Sequence, residues 1–245
     1  MHDDRPILEE RLRRVVRQRI EPAMRGDRVV LDVERWEVPG EPVTAEEAAA
    51  ASYEPFAVGG MFGRPWGTTW FRMSGVVPAE WAGSAVDAVI DLGFTNSPGF
   101  QSEGLLWRQD DDGAWAPLRG VNPLNRDVFV TDDAAGGERV SYVLEVASNP
   151  PIANDRPDPN SDLLTASQHP IYALTRAELT VVHREVVALR HDIRALNGLM
   201  KQLQLDDPRR HEILRALEDM LDRIDFDDVV ACAPAAREAL AGVLA

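Results

Sequence analysis

Between residues 6 and 22 apolar side chains recur at Ile7, Leu8, Leu12, Val15, Val16 and Ile20, while Glu9, Glu10, Arg11, Arg13, Arg14 and Arg17 fall mostly elsewhere on the turn. That spacing predicts an amphipathic helix, with Pro6 suited to its first turn and Pro22 unable to continue it. Residues 1–26 therefore read as an N-terminal helical segment whose apolar face must dock on something. From 27 to 183 the pattern shortens into β-rich runs: Arg28 to Val38, Thr68 to Val77, Ala85 to Phe94, Glu103 to Arg108, Trp115 to Arg119, Asp127 to Thr131, Arg139 to Ala147 and Ile171 to Val182. Eight short strands separated by Gly, Pro, Asn and Asp predict an all-β, two-sheet sandwich or jelly roll, not a βαβ sheet. The segment from Asn149 to Pro170, with five prolines, is too polar to pack and too long for a hairpin, so a surface loop is expected.

Over residues 184–245 the helical period returns, with Val186, Leu189, Ile193, Leu196, Met200 and Leu203 on one stripe. A second helix is expected after Asp206-Asp207-Pro208, an acidic cap before a first-turn proline, and it carries Ile213, Leu214, Leu217, Met220, Leu221 and Ile224. A third, alanine-rich one runs from about Val229 or Pro234 to Leu244. These stripes look larger than one helical hairpin can hide, which leaves apolar surface for a second copy or a neighbouring domain.

Composition narrows the class. The chain has 245 residues, 44% of them hydrophobic and 27% charged, as in a soluble globular protein of one large or two small domains. Its formal charge of -15 repels phosphate backbones and anionic lipid heads, so nucleic acid and membrane are poor partners. Neither a secretory leader nor an apolar run of about 20 residues is present, which makes the cytoplasm the default location. The single cysteine, Cys232, has no internal partner and reads as a buried structural thiol.

Most reactive chemistry is excluded by spacing. The five histidines are too scattered for a zinc site. Gly99 to Gly104 lacks the one-residue gap of a nucleophile elbow, and Gly59, Gly60, Gly63 and Gly67 lack a Walker lysine. Asp110-Asp111-Asp112-Gly113 lacks the alternating ligands of a calcium loop and reads as a hairpin turn. What remains is a concentration of aromatics in or beside strands: Trp66, Trp70, Phe71, Trp107 and Trp115. Exposed tryptophans stack on the C–H faces of sugars while Asn, Asp and Arg take hydroxyls, so Trp66, Trp107, Arg108 and Asn122 are the candidates for carbohydrate contact. The bland alternative is that the tryptophans are core, and the sequence leaves both open.

Three segments carry a resemblance: Trp66-Gly67-Thr68-Thr69-Trp70-Phe71-Arg72, Val77-Pro78-Ala79-Glu80-Trp81 and Glu103-Gly104-Leu105-Leu106-Trp107. With Gly120-Val121-Asn122-Pro123, Val146-Ala147-Ser148-Asn149-Pro150 and Leu174-Thr175-Arg176-Ala177-Glu178-Leu179, they make the chain resemble the N-terminal region of cytosolic α-mannosidases of glycoside hydrolase family 38. Ser102 departs from the small apolar residue or Cys expected there. The resemblance implies a jelly-roll, galactose-binding-like sandwich followed by a helical segment leading toward a catalytic domain. It also implies a retaining α-mannosidase whose zinc-type divalent metal and carboxylate nucleophile lie in that later domain. None of those ligands carries over to a position in this chain, so no cofactor and no catalytic residue is assigned to it.

Two roles follow as expectations. One is a non-catalytic accessory domain that supports its own catalytic domain and a homo-oligomer. The other is an autonomous carbohydrate-binding module for mannose-containing oligosaccharides. An accessory domain buries its tryptophans, whereas a binding module exposes two or more on one face.

Overall fold

The computed structural model describes residues 5–95, 101–110, 112–150 and 159–244. Two compact units emerge, Arg28–Thr180 and a second in which the segment ending at Asp27 joins the segment beginning at Val181. The two helical stretches, far apart in sequence, thus share one unit.

In the helical unit, α1 (Arg5–Val15) runs on through a π-helical turn, Val16–Ile20, into a short last turn, α2 (Glu21–Ala23). Leu8, Leu12, Val15 and Ile20 are buried, whereas Ile7 is exposed and drops out of the expected face. In regular α-helix Ile20 would stand about 140° away from Val15. The wider π turn brings it back onto the buried side.

Within the other unit the strands are β1 (Arg25–Val30), β2 (Asp32–Glu37), β3 (Glu54–Pro55), β4 (Met61–Phe62), β5 (Thr68–Val76) and β6 (Val86–Asp91), with a helix α3 (Ala45–Ala50) between β2 and β3. They continue as β7 (Ser102–Gln109), β8 (Trp115–Val121), β9 (Asp127–Thr131), β10 (Arg139–Ser148), β11 (Tyr172–Ala173) and β12 (Arg176–Val182). One sheet has the order β3-β2-β5-β10-β7-β8, with every neighbour antiparallel; a second has the order β1-β12-β6-β9; β11 and β4 form a small ribbon. The expected run from Arg28 to Val38 splits at Leu31, where the chain leaves one sheet for the other, as sandwich strands do at corners. Leu31 itself is buried, and its N–H donates to the Ala177 carbonyl at 2.9 Å.

Phe71, Met73, Leu106, Leu144 and Val146 share the face of the six-stranded sheet that looks at the other sheet, and all are buried. A Cβ on Gly104 of that face would meet Leu144 at 2.9 Å and Leu92 at 3.2 Å, so glycine is what lets the sheets close there. Phe71 packs edge-on to Phe62 at 5.1 Å between ring centroids, with Phe56 at 5.5 Å. Each such pair adds about 0.5–1.5 kcal/mol beyond burial. Among the described residues the buried carboxylates are Asp87, Asp91 and Glu178. Asp91 accepts the Gly93 and Phe94 N–H groups and pairs with Arg126 at 2.6 Å, while Glu178 pairs with Arg176 and lies 4.0 Å from Arg28. Paired in this way, Asp91 and Glu178 escape the penalty of a buried, uncompensated charge.

The chain ends in α4 (Arg184–Gln202), α5 (Pro208–Asp222) and α6 (Val229–Leu244). The stripes of α4 and α5 are buried against each other, α6 and α1, while Leu199 and Leu205 stay exposed. The N-terminal helix supplies the missing cover, and Arg11 pairs with Asp222 at 3.1 Å across that contact. Asp207 caps α5 by accepting the Arg209 N–H at 2.8 Å, and α6 starts at Val229 with Pro234 inside it. Cys232 is half-buried, not buried as expected, and its sulfur accepts the Asp225 N–H at 3.3 Å. The expected surface loop from Asn149 to Pro170 lies partly outside the described residues, as does Asp111 of the expected hairpin turn. Asp110 nevertheless accepts the Asp112 and Ala114 N–H groups, and Gly113 takes φ 82°, so a turn joins β7 to β8.

Candidate functional site

Tryptophans dominate the outer face of the six-stranded sheet. Register places Trp36 opposite Trp70, Val143 opposite Trp107 and Gln109 opposite Trp115, so the indoles of β2, β5, β7 and β8 lie on the side away from Phe71 and Leu106. Trp70 is fully buried beneath Ala45 and Ala48 of α3, and Trp36, Tyr53, Trp107 and Trp115 pack around it half-buried or partly covered. Thr44 and Glu47 fold that cover locally as a capping box. Thr44-Ala45-Glu46-Glu47 ahead of an alanine run is the sequence signal for this helix, which the strand pattern alone does not reveal. The Arg72 guanidinium lies 4.0 Å from the centre of the Tyr53 ring, and Trp107 Nε1 donates to Glu145 Oε2 at 3.3 Å. Burial pushes the Tyr53 phenol above its ordinary pKa. Among the described residues the Tyr53 hydroxyl and Trp70 Nε1 are buried without a hydrogen-bond partner.

The four sequence candidates do not come together. Trp107 is on this outer face; Arg108, next to it on β7, points to the opposite one. Trp66 precedes β5 with φ 63°, a left-handed conformation that a bulky residue rarely takes. It is held there by Nε1 donating to the Asn160 carbonyl at 2.9 Å and by its backbone N–H on the Ser148 carbonyl at 2.9 Å. Asn122 spends its side-chain oxygen on the Leu124 and Asn125 N–H groups, closing the turn after β8.

A second feature is a groove of about 580 Å³ at the open edge of the sandwich. Arg108, Arg119, Arg139, Tyr142, Phe129 and Leu118 line it, drawn from β7, β8, β9 and β10. Phe129 and Leu118 keep 59% and 38% of their surface exposed, apolar area that a sandwich ordinarily hides. Burial pushes the Tyr142 phenol up to about 12, with Arg108 pulling the other way and Asp87 adding to the rise. The hydroxyl is therefore neutral at any ordinary pH. No signal in the sequence points to this groove, because its residues are joined only by sheet register.

Among the described residues no group of three or more His, Cys, Asp or Glu side chains is placed to hold a metal ion, and no helix is long and apolar enough to cross a membrane. The family model described as "Alpha-mannosidase, jelly roll domain" (Ams1-like) matches residues 28–180. Alpha-mannosidase 2C1 of Homo sapiens is 30% identical over 185 residues, which cover 74% of this chain and 16% of that protein. Alpha-mannosidase G of Dictyostelium discoideum is 21% identical over 194 residues, again 16% of its own length. This chain thus matches only about a sixth of the curated relatives' length. Among solved structures, Faecalibacterium prausnitzii Beta-glucuronidase aligns at a TM-score of 0.36 and 15% identity, over 64% of this chain and 31% of that one, too loosely to bear on function.

Proposed function

We propose, from the premise that this chain belongs to the family of α-mannosidase jelly roll domains, that it serves as a non-catalytic accessory part of an enzyme that removes terminal α-mannosides. Its sandwich and helices shape that enzyme and wall its substrate cleft. The observation that carries this reading is the burial of the tryptophans: Trp70 and Trp81 are buried and the other four are half-buried, so none stands free as a sugar platform requires. On this reading the partner is the protein's own catalytic domain, the divalent metal belongs to residues outside this chain, and the setting is the cytoplasm. Self-association belongs to the same reading, through the apolar residues the helical unit leaves exposed, among them Ile7, Leu199 and Leu205. Salt should strengthen that association by screening the net charge, and sedimentation at several salt concentrations tests it.

The test of the accessory role is an assay of the purified chain with an aryl α-mannoside, with and without added divalent metal. No turnover is expected, and turnover abolished by a chelator would overturn the proposal. A second reading, an autonomous carbohydrate-binding module, is favoured by one observation: Trp36, Trp107 and Trp115 keep part of their surface open on a single sheet face. Titration with a mannose oligosaccharide separates the two. Saturable binding that is lost in Trp107→Ala would establish the module.

A further inference from the structure

Two charges occupy positions where a sandwich keeps its core. Along β7, Leu106 faces the opposite sheet and is buried, and Arg108 follows it on the same side. Arg119 of β8 lies directly opposite Leu106 and so shares that side, two positions from the buried Val121. Sequence alternation reserves such positions for apolar residues, because a charge left between two sheets is desolvated without compensation. Here the sheets do not close over them: Arg108, Arg119 and Arg139 are all exposed, and the groove opens in place of core.

The groove lining carries three arginines and no carboxylate, although the buried Asp87 also acts on Tyr142. Nearby Arg126 is locked to Asp91 at 2.6 Å, but among the described residues none of the three groove arginines is in an ion pair. Arg119 has only a long contact, 3.4 Å, to the Asn125 amide oxygen. Three unpaired guanidiniums on one concavity are unusual in a chain of net charge -15. Guanidinium forks match the planar or tetrahedral oxygens of carboxylate and phosphate, and a neutral tyrosine beside them can donate to the same group. Phe129 and Leu118 supply apolar wall for the body of a ligand. The volume, about 580 Å³, suits a small molecule. A long polyanion would instead run out of the groove over the surface of a chain of net charge -15 and be repelled there.

We propose that this groove is a binding site for a small oxyanionic ligand, a phosphate or carboxylate carried on a body of one or two sugar-sized rings, clamped by Arg108 and Arg119, with Arg139 at the rim where β10 begins. The site is separate from the tryptophan face, so it stands or falls independently of any sugar binding there.

Calorimetric titration of the purified 245-residue chain at low salt tests it, with inorganic phosphate, a hexose 6-phosphate, a hexuronate and an uncharged hexose as probes. Saturable binding of at least one anion is expected, with none for the uncharged hexose, and the phosphate and carboxylate arms show which oxyanion is preferred. Arg108→Ala/Arg119→Ala should weaken binding by about tenfold or more, given the strength of charge-assisted hydrogen bonds. Arg139→Ala should weaken it less, and Arg194→Ala in the helical unit should leave it unchanged. All four side chains are exposed, so melting temperatures near that of the parent are expected and serve as the check on folding. No saturable heat with any anion up to about 20 mM would overturn the proposal, as would equal affinity in Arg108→Ala/Arg119→Ala or in the single variant Arg108→Gln.

Discussion

The sandwich and the helical unit build their interiors from different side chains. Of the 6 Trp, 3 Tyr and 7 Phe, all but Phe226 lie between Arg28 and Thr180. The buried core of the helical unit is Leu, Ile, Val, Met and Ala throughout. Phe71, with Phe62 edge-on to it, helps fill the gap of about 10 Å between the two sheets, while the indoles of Trp36, Trp70, Trp107 and Trp115 cover the broad outer face of the six-stranded sheet around α3. Helices approach ridge into groove, where branched and flexible aliphatic chains interdigitate. A consequence is that the sandwich buries polar tips, the Thr69 hydroxyl between the sheets and Trp70 Nε1 and the Tyr53 hydroxyl on the outer face beside α3, unpaired among the described residues. Its stability therefore depends on pH in a way that the tyrosine-free helical unit does not share.

The largest expected effect is on the aromatic strand β5, where Trp70 and Phe71 are both fully buried on opposite faces. Trp70→Ala and Phe71→Ala should each cost about 3–5 kcal/mol in chemical denaturation. A parent-like melt for either would mean that its face is not closed, and for Trp70 that α3 does not cover it. On the other side, Leu217→Ala in α5 removes a fully buried aliphatic chain and should cost about 2–5 kcal/mol. If it cost under about 1 kcal/mol, the helical core would be collapsing around the gap and the contrast in packing would weaken.

Tyr142 sharpens the comparison through pH. Its phenol ionises near 12 in the folded chain and near 10 when unfolded. The folded state then holds the extra proton between these values. That contribution is complete below pH about 10 and is lost as pH rises toward 12, at up to about 1.4 kcal/mol per unit. Tyr142→Phe should flatten this alkaline limb, and an unchanged limb would assign the loss to other groups. Tyr53 and Tyr172 are raised in the same direction, chiefly by burial. An absorbance titration of the folded chain should accordingly show no tyrosine ionising at its ordinary value. The smallest effect is at the α5 cap: Asp207→Ala should cost about 1 kcal/mol by freeing the Arg209 N–H. Denaturation of that variant beside Asp207→Asn, which keeps an acceptor, isolates the cap; equal losses would point to charge instead.

Local pattern alone determined much of this protein. Alternation marked the strands around Thr68 to Val77 and Arg139 to Ala147, the 3.6-residue period marked Val186 to Met200, and Asp207-Pro208 marked the start of α5, because each of these signals is read within one element. The family was legible in the order of short segments from Trp66 to Leu179. Tertiary structure decided what covers what. The N-terminal helix and the C-terminal helices share a core, although about 150 residues separate them, because apolar stripes carry no address beyond being apolar. Sheet order likewise set Trp107 against Val143 and Trp70 and gathered Arg108, Arg119 and Arg139 on one groove. Those neighbourhoods depend on strand register and pairing, which link residues distant in the chain and leave no local mark in it.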